Sequence, residues 1–181
     1  MVGLFALASA GVILAALWLL QRYRTNLAQS AYYDRLTGAY NKTKFLLLLE
    51  ETLEKSRPCA VVSINIRKFK YRNELFGSAD SDELLKEDSE LLRQHIRPGE
   101  FFCRDTADCF LLCLKEQEEE AVEVRLHALL LHTNQLAHTM HPNFPLYFYC
   151  GCAFRADCTS DDPRQELMSH VMMALSTAKQ G

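Results

Sequence analysis

The stretch Phe101–Leu114, FFCRDTADCFLLCL, decides how this chain folds. Apolar β-formers stand on both sides of a polar cluster, Asp105-Thr106-Ala107-Asp108, which is a hairpin signal. The tip carries Thr106 and Ala107 and projects one carboxylate, Asp108, and one thiol, Cys109. Tips held on rigid strands are where sites tend to be built.

Working outward, the periodicity predicts a regular alternation. Asn41 caps a helix running through Phe45–Lys55, and Pro58–Ile66 reads as a buried strand. A short helix, Phe69–Phe76, stops at Gly77. Ser81–Ile96 is amphipathic, with Leu84, Leu85, Leu91, Leu92 and Ile96 on one side. After the hairpin come a helix over Glu118–His138, ended by Pro142 and Pro145, a strand over Leu146–Phe154 and a helix over Pro163–Lys179. This order suits an α/β (α+β) sandwich: a βαββαβ, ferredoxin-like core with an antiparallel-rich central sheet and flanking helices.

Composition narrows the function classes. The 181 residues carry a net charge of −3 and show no basic patch, which argues against a nucleic-acid partner. The acidic run Glu116–Glu120 reads as a solvated helix face. None of the seven cysteines pairs at zinc-finger or thioredoxin spacing. Cys150 and Cys152 fall on one face of a strand and read as buried free thiols in a reducing compartment. His127, His132, His138 and His141 gather around one helix and read as exposed or capping.

The N-terminal stretch Val2–Leu20 is nineteen residues without a charge. As a helix it would reach roughly 28 Å, close to a bilayer's hydrocarbon core. Arg22 and Arg24 with Tyr23 mark a cytoplasmic interface. The expectation is a single-pass transmembrane helix over 1–20 in the inner (cytoplasmic) membrane, a juxtamembrane helical linker over 21–33, and a cytoplasmic domain over 34–181.

Several pieces of that domain resemble, in order, the motifs of GGDEF domains, the diguanylate cyclase family. Asp34-Arg35-Leu36-Thr37-Gly38-Ala39-Tyr40-Asn41-Lys42 resembles the family's opening D-x-L-T-G-L-x-N-R. Asn65-Ile66-Arg67-Lys68-Phe69-Lys70 resembles D-I-D-x-F-K, and Asn73 through Asp82 resembles N-D-x-x-G-H-x-x-G-D. Arg97-Pro98-Gly99-Glu100 stands where R-x-x-D is often found. Arg104–Phe110 resembles R-x-G-G-D-E-F, and Ala174-Leu175 with Ala178-Lys179 resembles A-L-Y-x-A-K.

The resemblance implies a fold that joins two GTP molecules into cyclic di-GMP, with Mg²⁺ held by carboxylates when nucleotide is bound. This sequence departs from the pattern where the chemistry sits. The metal-ligand positions at the strand end are Asn65 and Arg67, the two glycines are Thr106 and Ala107, and the second acid is Cys109. Asp108, with Asn65, is what remains of the metal set. One lost electrostatic element costs about 10²–10³ in rate, so a degenerate, catalytically impaired domain is expected. Asn73 and Asp82 match the guanine-contacting pair, Lys179 matches a phosphate-reaching lysine, and Arg97 with Glu100 matches a remnant of the cyclic di-GMP inhibitory site. The implied role is a membrane-anchored regulatory, dimerisation or nucleotide-sensing module, a homodimer through the domain or linker. It is expected to work with a phosphodiesterase domain downstream or on a partner. A weakly active cyclase and a ligand-free interaction scaffold are the alternatives.

Overall fold

The computed structural model describes residues 13–23 and 29–180. A two-residue strand, β1 (Tyr40–Asn41), leads into helix α1 (Lys42–Glu54), whose N-cap Asn41 accepts from the Lys44 backbone N–H. Strand β2 (Ala60–Ile66) is followed by two consecutive helices, α2 (Phe69–Phe76) and α3 (Ser78–His95). The hairpin strands are β3 (Phe101–Thr106) and β4 (Cys109–Leu114). Helix α4 (Glu119–Met140), strand β5 (Phe148–Phe154), a 3₁₀ turn (Arg155–Asp157) and helix α5 (Pro163–Gln180) complete the chain.

The sheet order is β1-β3-β4-β2-β5. The three inner pairings are antiparallel and β1 joins β3 in parallel. The predicted βαββαβ core is therefore present, with β2 and β4 central. Both are buried on two faces, which is why AVVSINI and CFLLCL read as nearly unbroken apolar runs.

Alternation divides the sheet into two cores. Val61, Cys103, Leu111 and Cys113 face Phe45 and Leu49 of α1 and Leu167 and Val171 of α5. Val62, Ile64, Phe102 and Leu112 face Leu84, Leu85 and Leu92 of α3 and Val122, Leu126 and Leu129 of α4. Gly151 sets how closely α5 lies on β5: a Cβ there would fall 2.4 Å from the Leu175 nitrogen and 2.6 Å from the Val171 oxygen.

Most element bounds agree with the sequence reading to within a few residues. Helix α3 starts earlier than expected, at Ser78, so Asp82 lies inside it and does not cap it. Strand β1 and the 3₁₀ turn were not legible. Cys150 and Cys152 are half-buried rather than buried. Most of the predicted membrane span, residues 2–12, lies outside the described residues. Residues 13–23 are helical and expose Leu14, Leu17, Trp18 and Leu19. Among the described residues no helix is long and apolar enough to cross a membrane. Of the linker, residues 29–32 are helical, and Tyr33 bridges back to Tyr40.

Candidate functional site

The hairpin closes on the pair Thr106–Cys109, with the register shifting between Arg104 and Thr106. Ala107 turns the chain at φ 45°. That left-handed conformation costs a residue with a Cβ roughly 1–2 kcal/mol, and it is where the motif carries a glycine. Arg104 braces the turn. Its Nε donates to the Ala107 carbonyl (2.7 Å) and its Nη1 donates to Asp34 Oδ1 (3.1 Å). Asp34 also accepts from the Thr37 backbone N–H (2.9 Å) and hydroxyl (2.8 Å). Burial alone would raise the Asp34 pKa, but these donors outweigh it and hold the carboxyl below the usual range.

At the tip, Asp108 and Asn65 meet. The Asn65 Nδ2 donates to Asp108 Oδ2 at 2.9 Å. Burial pushes the Asp108 pKa up, and its own backbone N–H and the charge of Lys179 only partly offset this. Lys179, near the end of α5, thus acts electrostatically on the hairpin. Cys109 is turned inward, its Sγ 3.4 Å from the Ser63 hydroxyl, and burial raises its pKa. Arg67 stands exposed just past β2, its guanidinium 5.6 Å from the centre of the Tyr149 ring. Tyr149 is the β5 partner of Asn65, so Arg67 flanks the Asn65–Asp108 pair.

These residues do not fit a divalent cation. The Asn65 amide must turn its N–H toward the carboxylate, which can only accept, and this engages one oxygen of Asp108, while the other acid of the turn, Asp105, is held by Lys42. Hard cations need several charged or carbonyl oxygens, and Arg67 adds a repelling charge. Among the described residues no three His, Cys, Asp or Glu side chains converge on one point.

The other candidates lie apart. Asn73 is on α2 and Asp82 on α3; both are half-buried, and no hydrogen bond or ion pair joins them to the tip among the described residues. The Arg97–Glu100 remnant is arranged differently from expectation. The Glu100 carboxylate accepts from the Arg97 and Lys115 backbone N–H groups and takes a two-pronged contact from Arg125 (2.8 and 2.9 Å). Arg97 instead extends its guanidinium to Glu116 (2.7 Å). Glu116 is therefore not part of a solvated face: its side chain is 8% exposed and also pairs with Arg125.

A charged cluster that sequence reasoning missed sits beside Asn73. Arg72 is fully buried; it pairs with Asp80 and packs over Phe76. Asp80 also bonds His141 (2.8 Å), which stacks on Phe76 at 3.7 Å. His141 is thus the C-cap of α4, as one of the two readings had it, and its side chain is also packed and paired rather than exposed. Asp88, 5% exposed, faces a cavity of about 20 Å³ shared with Thr133. Burial drives its pKa up to about 8, against the pull of Arg72. The available signal was charge at core positions of the helical period: Phe69, Arg72, Phe76 on α2 and Leu84, Asp88, Leu92 on α3.

The family model for the GGDEF domain, diguanylate cyclase, matches residues 31–181. The chain belongs to the GGDEF family. This GGDEF domain is 33% identical over 106 residues to the cyclic di-GMP phosphodiesterase NbdA of Pseudomonas aeruginosa, covering 55% of the chain and 14% of that protein. It is 26% identical over 155 residues to the cyclic di-GMP phosphodiesterase PdeB of Shewanella oneidensis, covering 84% of the chain and 18% of the relative. The chain thus spans less than a fifth of these two relatives. Its fold matches the coiled coil and GGDEF domain of DgcB from Caulobacter crescentus, solved with c-di-GMP (TM-score 0.79, 17% identity, 96% of this chain and 94% of that one). The mixed α/β sheet with flanking helices is the GGDEF fold.

Proposed function

We propose that this chain is a catalytically impaired GGDEF domain that regulates cyclic di-GMP turnover without making cyclic di-GMP. The observation that carries the reading is the Asn65–Asp108 hydrogen bond. It engages the Asp108 carboxylate at the position where the motif's metal ligands converge. Arg67 and the inward-turned Cys109 remove the remaining acids. Losing two such elements independently would lower the rate by about 10⁴–10⁶.

In this reading the domain senses GTP weakly through Asn73, Asp82 and Lys179, and it dimerises through itself or its linker. The apolar segment 1–20 anchors it in the inner membrane with the domain in the cytoplasm. The exposed apolar side chains of 14–20 support an anchor, because such a surface is costly in water. The phosphodiesterase relatives support a partner or attached domain of that activity. The test is to incubate the full chain with GTP and Mg²⁺ or Mn²⁺ and separate the products by chromatography. Cyclic di-GMP at a rate typical of active cyclases overturns the reading. A thermal-shift titration with GTP then separates a nucleotide sensor, which shifts and loses the shift in Asp82→Ala, from a ligand-free scaffold, which does not shift.

A further inference from the structure

The disagreement between these residues and a metal has a positive side. We infer that the tip is a cation-independent polyphosphate site, in which Arg67 and Lys179 supply the positive charge that a divalent ion would otherwise bring. The inference deepens the nucleotide-sensing reading and rests on it for the identity of the base, though not for the phosphates.

Both cations flank the Asn65–Asp108 pair. Arg67 lies over Tyr149, the strand partner of Asn65, on the β5 side. Lys179 comes from α5 and acts electrostatically on both Asp108 and Cys109. Both side chains are exposed, and neither makes an ion pair among the described residues. Arg72, Arg104, Arg125 and Arg164, by contrast, each have an acidic partner. The Tyr149 ring holds the guanidinium from one face while leaving its N–H edge free to meet an anion. Helix α2 starts two residues beyond Arg67 without a side-chain cap, which adds the positive end of a helix. Against this stand two carboxylates: Asp108, which accepts from Asn65, and Asp105, which Lys42 pairs at 3.1 Å. With Asp105 paired by Lys42, the cations Arg67 and Lys179 outnumber the one remaining acid, Asp108, so the tip attracts a polyphosphate and gains nothing from Mg²⁺. A guanidinium fork suits phosphate oxygens in a way an exposed lysine alone does not.

The experiment is isothermal titration of the full chain, in mild detergent, with GTP and with inorganic tripolyphosphate, each in EDTA and in excess Mg²⁺. Both probes are expected to bind in EDTA, with no gain from Mg²⁺. Arg67→Asp and Lys179→Gln should each weaken binding in EDTA by about tenfold to a hundredfold, the loss of one or two charge-assisted contacts. Unchanged thermal melts without ligand would show that the exposed substitutions leave the fold intact. Tripolyphosphate binding without any preference for GTP over ATP would sink the guanine reading but keep this one. Binding seen only with Mg²⁺, binding in EDTA that is indifferent to Arg67→Asp, or no binding of either probe would overturn the inference.

Discussion

Replacing Asp88 by Asn should change how stability responds to pH. In the folded chain this carboxyl is 5% exposed and its pKa lies at about 8. In the unfolded chain it lies near 3.8. Between those values the native state holds one more proton than the unfolded state, so stability falls as pH rises. The slope is about 1.4 kcal/mol per pH unit, so going from about pH 5.5 to about pH 7.5 removes roughly 3 kcal/mol through this one group. Asn has nearly the same shape and does not titrate. The Asp88→Asn chain should therefore escape that loss and be the more stable of the two at the higher pH. Urea unfolding of both chains, followed by circular dichroism at the two pH values, gives the double difference. His141, Asp80 and the other titrating groups largely cancel in it because both chains carry them. A double difference near zero would refute the reasoning: it would mean that Arg72 keeps Asp88 ionised throughout, or that the cavity by Thr133 hydrates it.

Three further outcomes follow from other parts of the structure. Ala107→Gly should raise stability by roughly 0.5–1 kcal/mol, read as a higher melting temperature, because glycine adopts φ 45° without strain; a lower melting temperature would contradict the tip conformation. Gly151→Ala should cost about 1–3 kcal/mol, since the new Cβ would meet the α5 backbone at 2.4 Å; neutral unfolding midpoints would show that α5 can shift freely. Glu100→Ala should cost about 1–3 kcal/mol by leaving two backbone N–H groups without their acceptor, while Arg125 keeps Glu116. The Glu100 pKa is lowered: burial would raise it, but Arg125 and the two N–H groups prevail. Its contribution is therefore present above the ordinary glutamate pKa and lost as pH falls through the lowered value, so acid unfolding should begin at a higher pH in the variant.

The fold was readable because its elements follow simple periods. The hairpin Phe101–Leu114 and strand Ala60–Ile66 are apolar runs bounded by turn residues, and the helices carry their leucines at helical spacing. Strand β1 escaped because two residues hold no period; only its pairing with Cys103 and Arg104 defines it. In the candidate site, the motif order picked out Asn65, Asp108 and Lys179 one by one. What it did not reveal was the partner each side chain takes. Glu100 reads as a companion of Arg97 three residues away, yet Arg125 arrives from a helix twenty-five residues later and takes it. Arg72 and Asp88 were passed over for a related reason: a charge in a helical stripe is solvated unless another element covers it, and here α2, α3 and α4 do so together.

Arg104 has one more implication. Its guanidinium spans from Asp34, directly after the Tyr33–Tyr40 bridge, to the carbonyl at the hairpin's apex. The place where the linker enters and the place where the candidate ligand would dock are thus two ends of one short lever. A rotation of residues 29–32 reaches Ala107 through two hydrogen bonds and need not deform the sheet.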